Sequence, residues 1–137
     1  MANPNIVNVT TINGNTAYVT PSTTSVSTSW TCDGTTAITG LTPTSSGNVV
    51  NRVTSIVVSN TTSSAATATV AIANNATFGS GTAYNIAYQI SVPANTTLIV
   101  TDKTTSFYVT QNQSVGVTSG TASALTFVAT FEAITST

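Results

Sequence analysis

Residues 84–92 read Tyr84-Asn85-Ile86-Ala87-Tyr88-Gln89-Ile90-Ser91-Val92, large apolar side chains alternating with small or polar ones. Successive side chains of a strand point to opposite faces. Tyr84, Ile86, Tyr88, Ile90 and Val92 are therefore expected on one side, and Asn85, Ala87, Gln89 and Ser91 on the other. The tyrosines share their side with isoleucines, which marks it as a core or interface face.

The same period of two spreads outward from this stretch. Downstream, short strands are expected at 97–101, 106–110 and 114–118. A longer one at 124–134 places Leu125, Phe127, Ala129 and Phe131 on one face. Upstream, Ala66–Ala73 sets Val70 and Ile72 against Thr67 and Thr69, and 51–60 carries Val53, Ile56, Val57 and Val58. Weaker strands are expected at 25–31 and 37–41. At the N-terminus, 6–12 and 16–20 flank Asn13-Gly14, a dipeptide that supplies the positive φ of a tight hairpin turn. Turn clusters separate the strands, among them Asn60-Thr61-Thr62-Ser63, Pro93-Ala94-Asn95 and Asp102-Lys103-Thr104.

Strands at intervals of about 8–12 residues indicate an antiparallel sandwich or barrel. The expectation is an all-β chain: a single antiparallel β-sandwich, jelly-roll-like, over residues 1–137. An N-terminal hairpin or arm is expected within residues 1–20.

Composition narrows the chemistry. Of 137 residues, 40% are apolar but only 4% are charged, where soluble domains average about 25% charged. Arg52, Lys103, Asp33, Asp102 and Glu132 are the whole set, and there is no histidine. Two cations cannot neutralise a row of phosphates, so no nucleic-acid partner is expected. The chain has no run of about 20 apolar residues, so no membrane partner is expected. The opening MANPNIVNVT lacks the basic and apolar regions of a secretory signal, so synthesis and folding in a cytoplasm are expected.

Catalysis needs positioned titratable groups, and this chain offers few. Asp33, Asp102 and Glu132 are scattered, with neither glycosidase nor calcium-loop spacing. Asp102 beside Lys103 reads as a solvated turn. Cys32, within Trp30-Thr31-Cys32-Asp33-Gly34, has no adjacent cation and reads as a buried thiol next to a core tryptophan. No catalytic residue, metal ligand or cofactor is assigned. Tyr18, Tyr84, Tyr88, Tyr108 and Trp30 leave open a sugar-stacking platform.

Free-standing β proteins guard their edge strands with charge, proline or bulges. Residues 65–73 and 114–131 carry no charge, so edges covered by other subunits are expected; closure of a barrel within the monomer is the alternative. The candidate assembly contacts are Asn3, Ile6, Val7, Val9 and Ile12 near the N-terminus, with Thr67, Thr69, Val70 and Ile72 in the uncharged strand.

Several segments together resemble a known group: residues 5–17 (NIVNVTTINGNTA), 54–60 (TSIVVSN), 66–72 (ATATVAI), 90–103 (ISVPANTTLIVTDK) and the closing FVATFEAI. Their order resembles small virion structural proteins of tailed bacteriophages, especially T4-like phages of marine cyanobacteria. The resemblance covers most of the chain through strand-and-turn pattern, without a catalytic motif, and matches poorly from Pro21 to Gly47. Relatives carry acidic residues shortly after Phe107-Tyr108, where this chain has Val109-Thr110-Gln111-Asn112-Gln113. The resemblance implies a non-enzymatic virion protein, with capsid decoration as the favoured role. Its expected partners are the major capsid protein or other virion proteins, and copies of itself, a trimer being favoured. A neck, tail or fibre component and a carbohydrate-binding adhesin are the alternatives.

Overall fold

A computed structural model describes residues 6–34, 36–43 and 48–136. Among the described residues, ten strands form two antiparallel sheets: β1 (Val9–Val19), β2 (Ser29–Cys32), β3 (Thr36–Thr39), β4 (Val49–Asn60), β5 (Ala66–Ala73), β6 (Ala83–Val92), β7 (Thr97–Thr101), β8 (Phe107–Val109), β9 (Ser114–Ser119) and β10 (Leu125–Ser136). The large sheet runs β3-β2-β1-β10-β4-β7, with β8 also paired to β4; the small sheet runs β6-β5-β9. The expected all-β fold is the observed one.

The N-terminal hairpin is not. Strand β1 runs straight through Asn13-Gly14, pairing Asn13 with Ala133 and Gly14 with Glu132 of β10. Neither residue has a positive φ, which the tight turn would require. A ladder from Thr11 to Val19 along β10 makes far more hydrogen bonds than a two-residue turn. Long-range pairing overrides the local signal. Asp33-Gly34, between β2 and β3, does turn, with φ of 52° and 77°.

Strand β4 explains an irregularity in its own sequence. Its register with β10 shifts where Thr130 faces Ser55 and Phe131 faces Val53, leaving Thr54 as an extra residue. Such a bulge changes which side chains point inward. Val53 lies on one side of it and Ile56 and Val58 on the other, yet all three are buried in one core.

That core lies between the sheets. Trp30, Val53, Ile56, Leu125, Phe127 and Phe131 come from the large sheet; Ala68, Val70, Val92, Val115 and Val117 come from the small one. Leu125, Phe127, Ala129 and Phe131 all point inward, as the alternation of β10 requires. Trp30 is fully buried, and its indole N–H donates to the Val115 carbonyl at 3.3 Å, joining β2 to β9 across the core. Cys32 is a buried free thiol.

Asn60 secures the corner where β4 leaves for β5. Its side-chain amide donates to the carbonyls of Ser64 (2.8 Å) and Val92 (2.9 Å). Its carbonyl accepts from the backbone N–H and hydroxyl of Thr62. One buried amide therefore fixes the turn and the end of β6 together.

Candidate assembly surface

The two edges of the small sheet differ. Beside β9, Ser27 and Val117 exchange backbone hydrogen bonds of 2.8 and 2.9 Å, and Val115 N–H donates to the Gly40 carbonyl at 2.7 Å. Chain outside the sheet thus occupies that edge. Phe78 and Val26 cover the outward side of β9, close enough that a Cβ on Gly116 would meet them at 2.8 and 2.9 Å. Strand β6 has β5 on one side and no described strand on the other.

Strand β6 also departs from the alternation its sequence suggests. Ala68 faces Ile90, Val70 faces Ala87, and Ala71 faces Asn85, so the register shifts twice within seven residues. Directly opposed residues share a face, so Ala87 follows Val70 toward the core, and it packs there. Ile86 and Tyr88 fall at the shifts. The expected single face of Tyr84, Ile86, Tyr88, Ile90 and Val92 is broken, and only Val92 is fully buried. Tyr84 and Tyr88 are 58% and 60% exposed, with Ile86 and Ile90 beside them also exposed.

No residue of β6 is charged, and no like-charge repulsion opposes a second strand there. A further apolar row crosses the large sheet: Tyr18 pairs with Val128, Val128 with Val57, and Val57 with Ile99. Ile99 at its end is largely exposed. A rich set of hydroxyls surrounds the row; Thr20 and Thr126 share a hydrogen bond of 2.9 Å beside it.

The expected contact residues scatter over this surface and the interior. Asn3 lies outside the described residues. Ile6, Val7 and Ile12 are exposed and Val9 is half-buried. β2 pairs with β1 only at Ala17 and Tyr18, so the earlier part of β1 has β10 as its described neighbour. The group on β5 fares differently. β5 is the middle strand of its sheet, paired on both sides, so its backbone offers no free edge. Val70 is fully buried and cannot touch a partner; Ile72 packs against the core, Thr69 is half-buried, and only Thr67 is exposed. The open edge belongs to β6, which sequence reasoning assigned to packing without locating it. The signal for it was the pair of tyrosines, whose hydroxyls favour a position reaching water.

The charged groups stand apart from β6. Arg52 and Glu132 lie opposite each other on β4 and β10 with a 3.9 Å ion pair, both more than a third exposed. Asp102 caps the short 3-10 turn Lys103–Thr105, accepting from the Thr104 N–H at 2.9 Å and its hydroxyl at 2.6 Å. Those hydrogen bonds hold its pKa below the ordinary carboxylate value. No cluster of three metal-ligating side chains occurs among the described residues. A groove of about 290 Å³ lies on the Phe131 side of the large sheet, lined by Asn13, Asn15, Cys32, Asp33 and Asn51. The Asn51 amide is already engaged, donating to the Leu41 carbonyl at 2.8 Å. Trp30 is buried, so it cannot join the exposed tyrosines in a sugar-stacking platform.

No protein-family model, curated protein or solved structure matches the chain.

Proposed function

We propose that this protein is a structural component of a tailed-phage virion, a decoration or cement protein. It would bind the outer head lattice beside the major capsid protein and tie neighbouring capsomers together. The observation that carries the assembly part of this reading is β6: an open, uncharged strand edge bearing exposed tyrosine and isoleucine side chains. The resemblance of the strand-and-turn order to small virion proteins supplies the setting.

The mechanism is cohesion by repetition. Each copy buries apolar side chains and pairs backbone groups across a joint, and linked contacts add without any new chemistry. A nearly neutral, hydroxyl-rich surface lets many copies crowd together with little mutual repulsion. Only five ionisable side chains other than tyrosine and cysteine leave little for turnover.

Quantitative gel analysis of purified particles tests the assignment. Decoration requires hundreds of copies per particle, and heads lacking the protein should open at lower temperature. A few copies, in multiples of three or six, would instead assign it to the neck, tail or fibres. Absence from particles would remove the virion reading altogether.

A further inference from the structure

Strand β6 is self-complementary. Written around Ala87, its residues are Tyr84-Asn85-Ile86, then Ala87, then Tyr88-Gln89-Ile90. Laid antiparallel against a copy of itself with Ala87 on the two-fold axis, the strand sets Tyr84 against the partner's Ile90 and Ile86 against the partner's Tyr88. Asn85 meets the partner's Gln89, amide against amide. Aromatic residues opposite β-branched ones are favourable cross-strand pairs, and a two-fold axis makes each pair occur twice.

The register shifts argue for a copy over any other strand. Relative to β5, β6 carries one extra residue between Ala87 and Asn85 and another between Ala87 and Ile90. Bulges of this kind deter pairing with a regular strand, because the incoming ladder loses register at each one. A second copy brings one extra residue on each side of its own Ala87, so the residue count balances across the two-fold axis. Nor does any charge lie in Ala83–Val92 to oppose a like-with-like meeting.

We infer that two copies of this chain associate through antiparallel β6–β6 pairing centred on Ala87, joining two small sheets into one continuous six-stranded sheet. The contact uses the same strand as the assembly reading above but does not depend on where the protein resides. It is tested on the purified full-length chain, so its failure and the failure of the virion assignment are separate results.

Sedimentation equilibrium over a range of concentrations should show a monomer–dimer equilibrium. Tyr88→Lys should weaken dimerisation about 100-fold, since the two-fold axis loses the contact twice. Unchanged circular dichroism would show that this exposed position leaves the fold intact. The centre of the pairing is read by two double variants: N85K/Q89K sets like charges opposite each other and should be monomeric, whereas N85D/Q89K sets opposite charges together and should dimerise. A chain that stays monomeric throughout, a trimer, dimerisation unaffected by Tyr88→Lys, or equal behaviour of the two double variants would each overturn the inference.

Discussion

Strands β5 and β6 lie side by side, neither carries a charge, and they occupy opposite environments. β5 is made of alanine, threonine and two larger aliphatics, yet it sits in the middle of its sheet with Val70 fully buried. β6 carries the larger and more apolar set, two tyrosines and two isoleucines, yet it lies at the rim with those side chains exposed. Small residues suit β5 because it is sandwiched: the core presses on one face and both edges are paired. The bulky residues of β6 project where nothing among the described residues covers them. Apolarity along a strand therefore reports that its side chains seek cover, not that the same chain provides it.

The largest expected effect separates these two strands directly. Val70→Asp puts a carboxylate into a core with no cation to meet it and should cost about 4 kcal/mol or more, a large part of a typical domain's stability. Tyr88→Asp, one strand away, should change the unfolding free energy of the monomer, measured at concentrations too low for association, by less than about 1 kcal/mol. Urea unfolding of both variants measures the contrast, and similar losses would break it.

A smaller effect should come from the residue that ties the two strands' ends. Asn60→Ala removes four hydrogen bonds and leaves the Val92 carbonyl at the end of β6 without that donor. The expected loss is about 2–3 kcal/mol. Amide exchange should quicken first in β6 and around residues 61–64, sharpening the view that β6 is held from its end as well as from β5.

The opposite edge of the small sheet offers the next test. Gly116→Ala forces a methyl against Phe78 and Val26, both side chains that can move somewhat, and should cost about 1–2 kcal/mol. The cap over β9 would loosen while the β6 edge stays as it is. A cost near zero would mean that β9 is as lightly covered as β6.

The smallest effect concerns pH. The pKa of Asp102 is lowered in the folded state, chiefly by the Thr104 hydroxyl and N–H. A depressed carboxylate contributes stability above its unfolded pKa and loses it as pH falls through the folded value, so the window lies below about pH 4. With no histidine in the chain, the thermal midpoint should be nearly flat from about pH 5 to about pH 8. Asp102→Asn should remove only a slight acid-side decline, through fraying of the Lys103–Thr105 turn and not of either strand.

Legibility in the sequence follows the range of the interaction. Strand β5 begins and ends where its alternation does, and the inward set of β10 is the one its spacing dictates. The burial of Trp30 and Cys32 was readable from a tryptophan beside a thiol that has no adjacent cation. Asn13-Gly14 misled because the turn signal is local, whereas the ladder that overrides it lies more than a hundred residues away in β10. The candidate contacts on β5 misled for a related reason: absence of charge reads alike in a central strand and an exposed one.

The sequence by itself determined that this chain is built of strands, roughly where they lie, and that it has few ionisable groups for chemistry. Those properties belong to side chains and their near neighbours. Tertiary structure alone decided which strand is central, which is left at the rim, and where an extra residue turns a side chain outward. Strand order arises from pairing between distant segments, and a bulge exists only relative to the strand it faces.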